Sequence, residues 1–155
     1  MRPRRPTRVK GFPYVGVYRY SLRFSTYRRL PLFADPANVG AALQQIRRTA
    51  EDEQFAVLAY CFMPDHVHLV IEGTHEGSDL CRFVKIAKQR AAYVFRTERR
   101  IGSTWQEGYY ERVLRSDEAT DVVIRYVLEN PVRALIVARA EEYLHSGALF
   151  WPEHF

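Results

Sequence analysis

Met63-Pro64-Asp65-His66-Val67-His68-Leu69-Val70-Ile71-Glu72-Gly73 is the stretch from which the rest of the chain can be read. Pro64 and Asp65 are turn residues, and the run behind them has the β-branched, apolar composition of a strand. Successive side chains of a strand point to opposite faces. His66 and His68 therefore share one face, and Val67, Leu69 and Ile71 the other. The apolar set would fix the strand to a core, and the two imidazoles can converge on a single metal ion. The same spacing also suits two hydrogen-bonded structural histidines, and the fragment alone does not decide between them. A structural zinc site is disfavoured, because no cysteine pair at zinc-ligand spacing accompanies the histidines.

Immediately upstream, Phe55 to Phe62 is almost wholly apolar, as a central strand would be, and the short turn at Met63-Pro64-Asp65 makes it a hairpin with the histidine strand. Before it, Val39, Ala42, Leu43, Ile46 and Ala50 repeat at three and four, which predicts a helix from about Pro36 to about Asp52. Tyr14 to Phe24 alternates and reads as a first strand. Downstream, Leu80, Val84, Ala87, Ala91 and Val94 form one stripe of a helix predicted from Asp79 to about Arg100, ended by Gly102. Tyr109 to Arg115 reads as a last strand. A helix capped at Ser116 or Asp117 then runs to about Glu129, where Asn130-Pro131 stops it, and a short helix through Val137 follows. The order β-α-β-β-α-β with trailing helices predicts an α+β, ferredoxin-like split βαβ sandwich: an antiparallel sheet with helices on one face, plus C-terminal helices.

The chain of 155 residues is read as one domain over 12–140, with a basic arm over 1–11 and a tail over 141–155. Hydrophobic residues make up 47% and charged residues 26%, an ordinary globular balance. No apolar run approaches the roughly 20 residues of a membrane span, and no secretory h-region follows the basic N-terminus. Cys61 and Cys81 suggest no disulfide framework, so the expected location is cytoplasmic. The 23 Lys plus Arg against 18 Asp plus Glu give a net charge of +5, and arginine far outnumbers lysine. Arginine's planar fork suits bidentate phosphate contacts, which points to a nucleic-acid partner. Arg4 and Arg5 of the arm, with Arg82, Lys88, Arg90 and Arg96 of the second helix, are the expected phosphate contacts. Tyr93 falls off that helix's apolar stripe, on the same side as Arg82, Gln89 and Arg96, so it is not placed for packing.

Pro64-Asp65-His66-Val67-His68-Leu69 resembles the His-hydrophobic-His motif of the single-tyrosine DNA transposases of the IS200/IS605 type. Lys88-Gln89-Arg90-Ala91-Ala92-Tyr93, Leu114-Arg115 and Asn130-Pro131-Val132-Arg133-Ala134 resemble, more narrowly, the REP-associated tyrosine transposases. The likeness runs from about Tyr14 to Val137. It implies an enzyme that cleaves single-stranded or hairpin DNA through a 5′-phosphotyrosine link, leaving a free 3′-hydroxyl. By motif position it implies Tyr93 as the catalytic tyrosine, with His66 and His68 as ligands of Mg2+ or Mn2+, in a chain that can pair as a homodimer. One departure stands out. Relatives often place a glutamine ligand one turn after the tyrosine, and here that position is Thr97, which leaves Gln89, Asp65, Glu107 and Glu111 as candidates for a third ligand. Two other readings use the same residues: a hairpin-binding regulator that has lost the chemistry, and a replication initiator or relaxase.

Overall fold

The computed structural model describes residues 9–149, so Arg4, Arg5 and most of the basic arm lie outside the described residues. Strand β1 (Arg19–Ser25), helix α1 (Pro36–Glu53), strands β2 (Phe55–Met63) and β3 (His66–Gly73), helix α2 (Leu80–Glu98) and strand β4 (Tyr110–Leu114) follow the order expected. Helix α3 (Asp117–Leu128), a short α4 (Asn130–Arg133) and a short strand β5 (Ser146–Ala148) complete the chain. The sheet is antiparallel with order β4-β1-β3-β2-β5. No helix among the described residues is long and apolar enough to cross a membrane.

The helices start where side chains can satisfy orphan N–H groups. Asp35 accepts from the Ala37 N–H at 2.9 Å, Asp79 from Arg82 at 3.1 Å and Ser116 from Ala119 at 3.1 Å. Helices α1 and α2 pack on one face of the sheet, where Ala42, Ile46, Phe83, Val84, Ala87 and Phe95 meet Tyr20, Leu22, Phe24, Val67, Leu69 and Ile71. A second cluster occupies the opposite face. There Val123, Ile124, Val127 and Leu128 of α3 cover Leu58, Cys61, Met63 and Val70. The sheet is thus covered on both sides, by different helices.

Three expectations need correction. The first strand begins at Arg19, not Tyr14, because Tyr14 (φ 56°) and Gly16 (φ 129°) take left-handed conformations that break the extended run. At that break the Gly16 carbonyl lies against Gly73, where a Cβ would stand 2.2 Å from its oxygen, so only glycine fits the end of β3. The short helix after Asn130 stops at Arg133 rather than Val137, and Leu135 turns the chain with φ 60°. Finally, the tail assigned to 141–155 contributes a short strand to the sheet. Its Ser146, Gly147 and Ala148 pair with Cys61, Tyr60 and Ala59 of β2.

Candidate active site

Strand β3 divides its side chains as its alternation requires. Val67, Leu69 and Ile71 are fully buried against α1 and α2, so His66 and His68 face the side that α3 covers. Residues directly opposite in an antiparallel sheet share a face. The registers therefore set Tyr110 of β4, Arg23 of β1, His68 of β3 and Cys61 of β2 in one row across it. The two imidazole rings lie 4.9 Å apart, nearly perpendicular.

Both imidazoles are held neutral at ordinary pH. Burial pushes His68 down to about 3, helped by His66, Arg23 and Arg133 nearby. Burial also lowers His66, although Asp65 works against it. The Asp65 carboxylate lies 2.7 Å from Nδ1 of His66 and is itself ion-paired to Arg29 at 2.9 Å. Its own pKa stays low despite burial, because the His66 bond and the Arg29 charge outweigh that penalty. A carboxylate at Nδ1 holds the proton there and leaves the Nε2 lone pair free, as a metal-ligating imidazole requires. The donor chemistry of the pair therefore fits a divalent metal. Among the described residues, no third His, Cys, Asp or Glu completes a cluster with it.

The expected tyrosine does not lie with this pair. Tyr93 stands on the outer surface of α2, 60% exposed, in a depression shared with Gln45, Arg48, Gln89, Arg90 and Arg96. Helix α2 covers the face opposite the histidines, so the sheet itself separates Tyr93 and Gln89 from His66 and His68. Tyr126 is on the histidine side. It projects from α3 away from the buried Val123, Ile124, Val127 and Leu128, is 59% exposed, and lines with His68 a cavity of about 380 Å³. Ser21, Arg23, Tyr110 and Arg112 form the rest of its polar lining. The turn at Asn130-Pro131 folds Arg133 back, so that its guanidinium lies 3.7 Å from the Tyr126 ring centroid. Asn130 stands one turn after Tyr126.

The other expected residues are accounted for individually. Arg82 is ion-paired with Glu53 and Arg90 with Asp52, each at 2.8 Å, so acids of α1 match these two charges. Lys88 is turned inward. Its Nζ donates to the Gln106 and Gly108 carbonyls at 3.0 and 2.8 Å, and burial lowers its pKa to about 8. Arg96 lies 5.9 Å from the Tyr93 ring. Thr97 donates to the Tyr93 carbonyl, on the same remote surface. Glu111 sits opposite Leu22 and so faces α1 and α2, where its buried carboxylate makes no hydrogen bond. Glu107 lies near Lys88, and Asp65, another of the proposed third ligands, touches His66 directly.

The signal that would have found Tyr126 was present in the sequence. It lies off its helix's apolar stripe just as Tyr93 does, and it is four residues before the Asn130-Pro131-Val132-Arg133-Ala134 run.

A profile of the family described as "Transposase IS200 like" matches residues 15–130. A Haemophilus influenzae protein named "Putative REP-associated tyrosine transposase" is 22% identical over 113 residues, covering 65% of this chain and 63% of the relative. The chain thus spans less than two thirds of that relative's length. Among solved structures, that of a REP-associated tyrosine transposase bound to a REP hairpin superposes with a TM-score of 0.77 at 16% identity, over 91% of this chain and 82% of that one. A second, described as a "putative transposase" from Deinococcus radiodurans R1, gives a TM-score of 0.53 at 27% identity, over 79% and 96%. The first of these likenesses, at its low identity, speaks for the fold.

Proposed function

The chain belongs to the IS200-like transposase family, and from that premise we propose that it cleaves and rejoins single-stranded DNA beside hairpins, with Tyr126 as the nucleophile. The observation that carries this reading is the shared cavity of Tyr126 and His68, on the face of the sheet opposite Tyr93.

In the forward step the Tyr126 oxygen attacks the scissile phosphorus. The new O–P bond replaces the P–O3′ bond, and the phenolic proton passes, in net terms, to the departing 3′ oxygen. The products are a 5′-phosphotyrosine and a free 3′-hydroxyl. Attack by another 3′-hydroxyl reverses the step, with the bond energy retained and no nucleotide cofactor consumed. A phenol ordinarily ionises near pH 10 and is a weak nucleophile at neutrality, so the surrounding groups matter. Arg133, stacked on the Tyr126 ring, offers a fixed positive charge where the phosphoryl oxygens gain negative charge. Asp65 keeps the His66 proton on Nδ1.

His66 and His68 would hold a divalent metal, Mg2+ or Mn2+, with the Asn130 amide as the third donor. A bound metal would polarise the phosphate and stabilise the leaving oxygen. Asn130 occupies, relative to Tyr126, the position where relatives place an amide ligand. With Tyr126 as the nucleophile, the position one turn on is Asn130 and not Thr97, so an amide donor is present and the reading as a regulator without chemistry loses support. The hairpin preference rests on the structural relative, which was solved with a REP hairpin bound.

The test is incubation of labelled hairpin DNA carrying a single-stranded flank with the protein and Mn2+, followed by peptide mapping of any covalent adduct. The adduct should map to Tyr126, vanish in Tyr126→Phe and persist in Tyr93→Phe. An adduct that persists in Tyr126→Phe refutes the assignment.

A further inference from the structure

The wall of the cavity facing Tyr126 carries residues that neither the attack on phosphorus nor the metal pair uses. Tyr110 lies on β4, an edge strand, and is 43% exposed, whereas Tyr20 of the adjoining β1, on the other face, is fully buried. A tyrosine kept for packing would be covered as Tyr20 is. Arg23, directly opposite Tyr110 in the register, lies 5.7 Å from its ring centroid. Arg112, two residues along β4 on the same face, is exposed as Arg23 is. Neither arginine is ion-paired to a carboxylate among the described residues, whereas Arg19, Arg29, Arg82, Arg90 and Arg99 all are. Two guanidinium groups without a carboxylate partner among the described residues thus flank the Tyr110 ring, inside the cavity that holds His68 and Tyr126.

We propose that Tyr110 is a stacking platform for an unpaired nucleobase next to the cleaved phosphate, with Arg23 and Arg112 contacting the backbone phosphates on either side of it. The inference rests on the reading of this cavity as the DNA-cleavage site and specifies what part of the DNA it grips. An aromatic face flanked by guanidinium groups suits a flat, uncharged base between anionic linkers, and every base has such a face. Tyr110 lies two strands from His68, about 10 Å by ordinary sheet spacing, so its ring and the metal pair serve different parts of the substrate. The groove is concave, and a base reaches the ring only when it is free of a partner strand. The subsite therefore selects for single-stranded flank over stem.

The test uses binding alone, in the Tyr126→Phe background and without metal, so that no chemistry intervenes. Hairpin oligonucleotides carry a single abasic position, stepped through the flank, and are titrated by fluorescence anisotropy against Tyr110, Tyr110→Phe and Tyr110→Ala proteins. Tyr110→Ala should weaken binding of the intact flank roughly tenfold or more, while Tyr110→Phe keeps it. At one flank position the abasic penalty should be large with Tyr110 and disappear with Tyr110→Ala. Tyr110→Leu, which keeps apolar bulk, should behave as Tyr110→Ala does and guards against a folding defect. Arg23→Gln should lower the salt slope by about 0.7 for the lost phosphate contact. Abasic penalties of equal size in the Tyr110 and Tyr110→Ala proteins at every position would overturn the proposal. An adduct mapped to a residue other than Tyr126 would overturn the nucleophile assignment while leaving this coupling to be read independently.

Discussion

Replacing Arg19 by methionine separates the positioning of Tyr126 from the folding of the domain. Arg19 lies on β1. Its Nε donates to Glu72 of β3 at 3.0 Å, and its Nη1 reaches Asp117 and, at 3.4 Å, Thr120 in the first turns of α3. It is the polar tie between the sheet and the base of the helix that carries Tyr126. Methionine keeps most of the aliphatic stem and removes the charge. The side chains of Arg19 and Glu72 are about 30% exposed and that of Asp117 is 88% exposed, so water compensates much of what is lost. The pairs together are then worth about 1–2 kcal/mol, and at 2–4 °C per kcal/mol for a chain of this size the melting temperature should fall by about 2–8 °C. Helix α3 stays docked through Ile124 and Leu128, both fully buried. The pose of Tyr126 should nevertheless loosen, and misplacement of a reacting group by about 1 Å costs up to roughly a hundredfold in rate. Single-turnover adduct formation at saturating DNA should therefore slow by about ten- to a hundredfold while the dissociation constant for the hairpin changes little. A melting temperature lowered as expected with an unchanged adduct rate would refute the reasoning, and would mean that the apolar stripe alone sets the helix.

Two further outcomes follow from the polar contacts. Asp65→Asn should weaken Mn2+ binding about ten- to a hundredfold by isothermal titration, since the carboxylate no longer orients His66; equal affinity would show that the ring is held by packing. Lys88 has a folded-state pKa of about 8 against an ordinary value of 10.5, so between these pH values the unfolded chain binds more protons. The contribution of this group to stability should rise with pH across that window and be lost as pH falls through about 8. Comparing urea midpoints of the wild type and Lys88→Met from pH 7 to 10 isolates the slope, and parallel profiles would mean that Lys88 titrates normally.

Strand β2 was legible as a short, almost wholly apolar run ended by a turn, whereas most strands and both helices of the split βαβ core were legible because they carry a clean period: two in Val67, Leu69 and Ile71, and 3.6 in Val39, Ala42, Ile46 and Ala50. The histidine pair was legible for the same reason. Strand β5 was not, since Ser146-Gly147-Ala148 has neither length nor apolar alternation and pairs only because β2 offers an edge. Tyr93 was expected to meet the histidines, and the faces of the sheet set it on the other side from them. In a split βαβ unit both helices pack on the side to which β3 turns its apolar residues. Histidines alternating with Val67 and Leu69 must then face away from α2, and only an element after β4 can reach them. The inward turn of Lys88 could not be read at all, because it depends on where the Gln106 and Gly108 carbonyls lie in the fold.

The sheet is insulated front from back. The cluster beneath α1 and α2 and the cluster beneath α3 share no buried residue, although β2 and β3 contribute to both. Selection can therefore act on the two sides with considerable independence. Drift among the residues under α1 and α2 alters how long the protein survives in a cell and leaves the reacting groups where they are. Drift on the exposed faces of α3 and α4 changes Tyr126 and Arg133 while the buried stripe of α3 and the scaffold, with its histidines and arginines, persist. A lineage built on this plan could lose the chemistry proposed for Tyr126 by changes confined to the exposed side of one helix, so long as Val123, Ile124, Val127 and Leu128 stay apolar and keep that face of the sheet covered.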